Sequence, residues 1–213
     1  MAAQSDNSTN ENSENLSNHT GEGVIVDIGT GDGRFVYRSA AANPHKFYIG
    51  IDANAALLEK ISMKATRKPA KGGLPNVLFV QAAIENLPEE LTAAADEIHI
   101  HFPWGSLLAA VARGDEQALA SLRRIAAPEC LLEIIIGIDE ERDRAEIERL
   151  DLPPLSAEYL QKTLPAKYER AGFEVLESGA LAPAEWSRLE TSWARKLQSG
   201  SNRTVVYLVL QAV

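Results

Sequence analysis

Several residue types that define protein classes are scarce in this chain of 213 residues. It has one cysteine, Cys130, in the apolar run 130–136, so no internal disulfide or thiolate cluster can form. Four scattered histidines argue against a zinc site. Two of them, His99 and His101, alternate with isoleucines and are interpreted as satisfied interior or face residues rather than ligands.

Long apolar runs and targeting patterns are also missing. The longest apolar runs are only strand-sized, so we expect no membrane span. The first residues lack the cationic and then apolar pattern of a signal peptide. These features predict a cytoplasmic protein.

Basic residues are outnumbered, with 21 Lys and Arg against 30 Asp and Glu, a net charge of −9 and a pI near 5.0. This average argues against a nucleic-acid partner, but binding follows local patches. Residues 60–84 contain no acid and carry five cations: Lys60, Lys64, Arg67, Lys68 and Lys71. All but Arg67 recur every three or four residues and would share one face of a helix. That face is either a phosphate-binding stripe or an ordinary solvated surface.

Residues 23–34, GVIVDIGTGDGR, form the most informative stretch. The β-branched run at 24–26 suits a buried parallel strand that Asp27 ends. Glycines at 29, 31 and 33 follow, and residues 34–42 are helix-like. The third glycine comes one residue too early for the dinucleotide motif G-x-G-x-x-G. The pattern instead resembles the first motif of class I S-adenosylmethionine (SAM) methyltransferases, with a glycine turn that binds nothing as the alternative.

Strand and helix patterns alternate along the rest of the chain. Strands are predicted at 46–52, 76–81, 96–102, 130–138, 173–177 and 204–213. Helices are predicted at 55–68, where Pro69 stops the helix, from Leu107 onward, and at 139–151 and 156–171. This alternation predicts an α/β fold: a seven-stranded, mostly parallel, Rossmann-like sheet flanked by helices and closed by a hairpin.

The domain prediction is a single methyltransferase domain over residues 21–213. A helical insertion is expected at about 183–203, between the last two strands. Residues 1–20 are rich in Asn, Ser and Thr and are predicted to be a disordered tail.

The predicted strand ends carry candidate ligand-binding residues, because open α/β sheets bind ligands beyond the carboxyl ends of their strands. Asp52 ends the second strand, where an acid can accept both hydroxyls of a ribose. Ala83 and Glu85 follow the third strand, where such folds bracket an adenine ring. Residues 102–106 follow the fourth strand and are therefore placed at the reaction centre.

Three further stretches resemble one specific family. They are FPWGSLL at 102–108, the basic KPAKGGLPNV at 68–77, and SWARKL at 192–197 with Gly200 and Arg203. Together they are similar to the aminoglycoside-resistance 16S ribosomal RNA methyltransferases of the kanamycin-apramycin type, which modify N1 of adenine 1408. The likeness runs in the same order over about nine-tenths of the chain.

The resemblance implies a SAM-dependent enzyme that acts on 16S rRNA in the assembled 30S subunit. We expect a monomer, because the enzyme must lie flat on a ribosomal surface. It implies cofactor-binding roles for Asp27, Gly29, Thr30, Gly31, Asp52, Ala83, Glu85, Ser106 and Thr191. It implies that the target adenine stacks between Trp104 and Trp193. It implies RNA-binding roles for Lys64, Arg67, Lys68, Lys71, Arg195, Lys196 and Arg203.

The chemistry of such a reaction matches these residues. A base within an RNA stem must be extruded, and aromatic stacking can offset that cost. N1 of neutral adenine already carries a lone pair, so no general base is needed. Three alternatives stay open: tryptophans that merely pack in the core, a transfer-RNA or small-molecule methyltransferase on the same fold, and a non-catalytic SAM- or RNA-binding module.

Overall fold

The computed structural model describes residues 23–139, 141–156, 158–181 and 204–213. Its strands are β1 Val24–Ile28, β2 Phe47–Asp52, β3 Val77–Gln81, β4 Ala95–His101, β5 Ala126–Ile138, β6 Phe173–Leu181 and β7 Thr204–Ala212. They form one seven-stranded sheet in the order β3-β2-β1-β4-β5-β7-β6. Only β7 is antiparallel to its neighbours; the pairings from β3 across to β5 are all parallel. The predicted fold class is confirmed.

Helices and short turns connect the strands. The α-helices are α1 Arg34–Ala42, α2 Ala55–Ala65, α3 Gly105–Arg113, α4 Glu116–Ile125, α5 Arg144–Arg149 and α6 Leu164–Arg170. A π-helical turn, Tyr159–Thr163, precedes α6. Three 3₁₀ turns lie at Pro69–Lys71, Ile84–Asn86 and Glu89–Leu91. Within the described residues, no helix has the length and apolarity needed to cross a membrane.

One face of the sheet centre is an apolar layer. Val26, Ile49, Ile98 and Leu132 lie side by side in the strand register and are all fully buried. Their strands β1, β2, β4 and β5 run parallel to one another. The carboxyl ends of β1 to β4 consequently meet at one edge, where a ligand site is expected.

The helix predicted at 55–68 is too long. It ends at Ala65, and Lys68 adopts an extended backbone with φ −57° and ψ 145°. The cause is Pro69, whose ring disfavours helical geometry at the residue before it. Lys68 and Lys71 therefore belong to a 3₁₀ turn, and the prediction that four lysines share one helix face is wrong.

Other boundaries also differ from the predictions. The helix predicted from Leu107 begins at Gly105 and ends before Gly114, whose φ is +60°. Asp115 then caps α4, a helix that was not predicted, by accepting from the N–H of Ala118 at 2.9 Å. The helices expected at 139–151 and 156–171 are reduced to α5 and to the π-helical turn with α6.

The predicted tail at 1–20 and the whole of the insertion at 183–203 lie outside the described residues. The division into a tail and a single domain therefore stays a prediction.

Candidate active site

The glycine turn after β1 is fastened to the end of β2. The N–H groups of Gly29 and Thr30 both donate to the carbonyl of Ile51, at 2.8 and 3.0 Å. Gly29 and Gly31 have φ values of +77° and +59°, which only glycine adopts without strain. A Cβ on Gly29 would lie 2.4 Å from Cδ2 of Leu107, whereas a Cβ on Gly31 would meet nothing within 4 Å. The backbone at Gly31 is therefore open to a ligand.

Asp52 ends β2 with both carboxylate oxygens already oriented. Its Oδ2 accepts from the N–H of Gly31 at 2.8 Å, and its Oδ1 accepts from the N–H of Asn54 at 2.8 Å. Each ionised oxygen keeps a further lone pair for a hydroxyl donor. The carboxylate is thus held in one orientation, as recognition of a ribose diol requires.

A strained turn at the end of β4 directs Trp104 outward. Phe102 has a positive φ of +51°. Its ring is buried, and its N–H donates to the carbonyl of Ile135 at 2.7 Å. A bulky residue in this conformation costs on the order of 1–3 kcal/mol and is retained where surrounding structure demands it. Trp104 follows at the start of α3 with 42% of its surface exposed. Part of this large indole therefore faces solvent at the carboxyl end of β4.

These strand ends enclose one pocket of about 390 Å³. Seven predicted site residues line it: Gly29, Gly31, Asp52, Ala83, Glu85, Trp104 and Ser106. Asn54 and Leu57 also line it and were not predicted. Asn54 caps α2 and Leu57 lies in its first turn, directly after Asp52, and this position in the sequence was a usable signal. The pocket brings the glycine turn and Trp104 to the same opening.

Asp27 and Thr30 are not among the lining residues of this pocket. Asp27 is only 6% exposed and lies at the end of β1, just before the glycine turn. Burial raises the pKa of Asp27 above its ordinary value, and the nearby His101 and His99 oppose that rise. Asp27 is therefore a buried carboxylate whose charge depends on its neighbours.

A basic surface, defined by Lys64, Arg67, Lys68 and Lys71, lies at the last turn of α2 and in the turn that follows it. The Lys64 ammonium sits 4.0 Å from the centre of the Tyr37 ring, and the Tyr37 hydroxyl donates to the carbonyl of Gly72. All four cations are exposed, and none of them forms an ion pair within 4 Å with a described acid. The folded loop thus gathers these cations although they do not share one helix.

The remaining predicted site residues cannot be placed in the structure. Thr191, Trp193, Arg195, Lys196 and Arg203 all lie outside the described residues. Their roles stay predictions.

A larger cavity, of about 930 Å³, lies between α4 and α6 and contains none of the predicted site residues. Its cations Arg113, Arg123, Arg124 and Lys167 each donate to backbone carbonyls, so they brace the fold. Within the described part of the chain, no group of three or more His, Cys, Asp or Glu side chains could hold a metal ion.

The parallel sheet, the glycine turn and the diol-oriented carboxylate define a class I SAM-dependent methyltransferase. The 390 Å³ pocket has the size of a small-molecule site, and the open backbone at Gly31 and the ordered Asp52 fit the donor's nucleoside end. The predicted cofactor, SAM, is confirmed by relatives.

Comparison with known proteins identifies the family. The family model described as NpmA, 16S rRNA (adenine(1408)-N(1))-methyltransferase, matches residues 4–212. The Escherichia coli 16S rRNA (adenine(1408)-N(1))-methyltransferase is 38% identical over 182 residues, covering 85% of this chain and 83% of its own. The chain belongs to this family, as its motifs predicted.

Solved structures agree with this assignment. The aminoglycoside resistance methyltransferase NpmB1 is 45% identical and superposes with a TM-score of 0.83, covering 96% of this chain and 93% of its own. A tryptophan-to-alanine mutant of the Catenulisporales acidiphilia 16S rRNA (adenine(1408)-N(1))-methyltransferase, solved with SAM, is 35% identical. It has a TM-score of 0.85 and covers 98% of this chain and 93% of its own.

Replacement of Gly29 with Ala is expected to abolish SAM binding and to lower thermal stability. The new methyl would overlap Leu107 and force a positive φ on a residue with a Cβ. Gly31→Ala is the matched control, since it strains φ but meets no neighbour within 4 Å. Calorimetry of SAM binding and of unfolding on both variants is the measurement. Equal stability of the two variants would contradict the steric argument at Gly29.

Proposed function

We propose that this chain transfers a methyl group from SAM to N1 of adenine 1408 in 16S rRNA and thereby confers aminoglycoside resistance. The observation that carries the proposal is the shared pocket, which Trp104 lines together with Gly31 and Asp52. Family membership over most of the chain supports the choice of substrate.

Recognition of the target begins with extrusion of the adenine, which costs a few kcal/mol. Stacking on an aromatic ring returns about 1–3 kcal/mol per base. Trp104 offers one such face at the mouth of the pocket, and Trp193 is proposed to supply the second. Two indoles would offset much of the cost and would also favour the cationic product, 1-methyladenine, through cation–π attraction.

The chemistry then rests on alignment. Bound SAM supplies an electrophilic methyl group on its sulfonium. The protein holds the ribose through Asp52, leaves backbone room at Gly31 and positions the base through Trp104. Because N1 carries its own lone pair, no side chain has to remove a proton. Orientation of two bound partners is sufficient to supply a large rate factor.

The substrate is proposed to be 16S rRNA within the assembled 30S subunit, modified in the cytoplasm by a monomer. The basic surface is the feature that supports docking to a folded RNA, because it concentrates four cations on an otherwise acidic chain. Such contacts to phosphates position an enzyme without reading sequence.

Replacement of Lys71 or Lys68 with Glu is expected to weaken 30S binding. Each lost phosphate contact should reduce the slope of log affinity against log salt by roughly one unit. Arg170→Glu is the control, because it changes the net charge equally. Arg170 lies in the last turn of α6, just before β6, which forms the sheet edge opposite to β3. Binding titrations at several salt concentrations measure both the affinity and the slope. Unchanged slopes in the lysine variants would show that these residues form an ordinary solvated surface and do not contact phosphates.

The direct test of function is methylation of purified 30S subunits with labelled SAM. We expect a primer-extension stop at adenine 1408 and 1-methyladenine in the digested product. Transfer RNA is the competing substrate, and its methylation in place of 30S subunits would support the alternative enzyme on the same fold. SAM binding without turnover on either RNA would indicate a non-catalytic module.

A further inference from the structure

A row of ionisable side chains crosses one face of the sheet below the glycine turn. In the strand register, Asp27 of β1 lies beside His99 of β4, and His99 lies beside Glu133 of β5. His101 follows two residues later on the same face of β4, so it stands next to this row toward the site edge.

The two imidazoles form a stack with an unusual hydrogen-bond pattern. Their ring centres are 5.1 Å apart and their planes differ by 11°. Nε2 of His101 is 2.6 Å from Oε1 of Glu133, and Nε2 of His99 is 3.6 Å from Oε2 of Glu97. Nδ1 of each ring is buried and has no hydrogen-bond partner among the described residues. These histidines are interior, as predicted, but their Nδ1 atoms are not satisfied.

The charges around the stack leave an excess of carboxylates. Asp27 faces it from β1, Glu97 from β4 and Glu133 from β5, and Asp52 stands at the end of β2. Lys46, the nearby cation, is 3.0 Å from Glu97 and is committed to it. From α1, the element packed over the stack, the contact is the uncharged ring of Phe35, 5.9 Å from that of His101.

A buried carboxylate needs a compensating positive charge. Burial lowers the pKa of His99, but the interaction with Glu97 and the charges of Asp27 and Glu133 outweigh it and raise the pKa overall. The interaction with His101 lowers the pKa of Glu133. His99 is therefore the group in this row whose protonated form the neighbouring carboxylates favour.

We propose that the His99–His101 stack carries a proton while the methyl donor is absent, so that this proton takes the place of the donor's positive charge. The stack releases the proton to solvent when the donor binds. This inference rests on the proposed function, because it requires SAM in the pocket beside the glycine turn. SAM carries a net charge of +1 from its ammonium, sulfonium and carboxylate groups. His99 and His101 thereby act as positioning residues that compensate the negative charge of Asp27. Glu97, which is partly exposed, lies on the side from which the proton leaves.

The direction of the pH effect follows from linkage. A cation placed near the stack disfavours the imidazolium, so binding lowers the imidazole pKa and releases protons. Ligand affinity rises with pH wherever binding releases protons. We therefore expect SAM affinity to increase from below the ordinary imidazole pKa of about 6.5 up to the raised value in this site.

The test is calorimetry of SAM binding to the full chain in phosphate and in Tris, buffers with very different ionisation enthalpies. We expect the apparent enthalpies to differ in the direction of proton release, most strongly between the ordinary imidazole pKa and the raised pKa of His99. S-adenosylhomocysteine, which lacks the sulfonium charge, should release fewer protons. Identical enthalpies in both buffers across this range would overturn the inference.

Histidine-selective NMR locates the proton, since the chain has only four histidines. The signal of His99 should titrate at lower pH with SAM bound, whereas the signal of exposed His45 should not respond to SAM. His99→Gln should flatten the dependence of SAM affinity on pH, and His45→Gln should preserve it. Both NMR and two-buffer calorimetry use the unaltered protein, so a folding defect in His99→Gln does not weaken the test.

The same samples separate this inference from the proposed function. A protein that binds SAM and methylates 30S subunits without releasing protons contradicts the inference alone. A protein that does not bind SAM contradicts the proposed function.

Discussion

Replacement of Trp104 with Ala is expected to reduce methylation of 30S subunits severely. The indole lies exposed at the mouth of the pocket, where an extruded adenine needs a stacking surface. Loss of one stacking partner, worth about 1–3 kcal/mol, corresponds to a roughly 5- to 150-fold fall in kcat/KM. SAM affinity should change little, because the turn and Asp52 hold the donor.

Two further variants make this prediction specific. Trp104→Phe keeps a smaller aromatic face and should recover part of the activity. Trp193→Ala should show the same loss of methylation with SAM binding intact, if it forms the second face. Single-turnover methylation and SAM calorimetry separate the two effects. A parallel loss of SAM binding and thermal stability would instead indicate a packing role for the tryptophan concerned.

Replacement of Asp52 with Ala is expected to raise the Kd for SAM by about 10²-fold or more, since hydrogen bonds to a charged group are each worth about 1.5–3 kcal/mol. The variant lacks the carboxylate that contacts the ribose and that accepts hydrogen bonds from the N–H groups of Gly31 and Asn54. Asp52→Asn keeps the shape of the side chain and one acceptor oxygen, so its Kd for SAM should rise less. Calorimetric titration with SAM is the measurement.

An exposed acid elsewhere provides the control for net charge. Glu90→Ala, in the 3₁₀ turn Glu89–Leu91, removes the same charge at an exposed residue that does not line the pocket and should bind SAM normally. Asp52→Ala binding SAM as tightly as Glu90→Ala would show that the carboxylate does not hold the donor.

Sequence patterns predicted the fold well where one local rule dominates. The glycine turn and the helix at Arg34–Ala42 were placed correctly, because apolar runs and glycines punctuate them clearly. The end of α2 was missed because Lys68 was counted by helical spacing although Pro69 restricts it. Helix α4 was missed although Gly114 and Asp115 form a stop and a cap.

The candidate site could be predicted only in part. Asp52, Ala83 and Ser106 could be found because strand ends converge in this fold, and the structure places them in one pocket. Asp27 was grouped with them from its motif, yet it lies buried outside the pocket lining. The histidine stack could not be foreseen, because the pairing of His101 with Glu133 depends on strand register across 32 residues of chain.

The hydrogen bonds that fasten the glycine turn have a kinetic consequence. Gly29, Thr30 and Gly31 are held by Ile51 and Asp52, groups of the protein itself, so the turn is shaped as the sheet forms. Such preorganisation removes the ordering cost from the encounter with a ligand. We infer that the donor and its spent product exchange without remodelling of this turn.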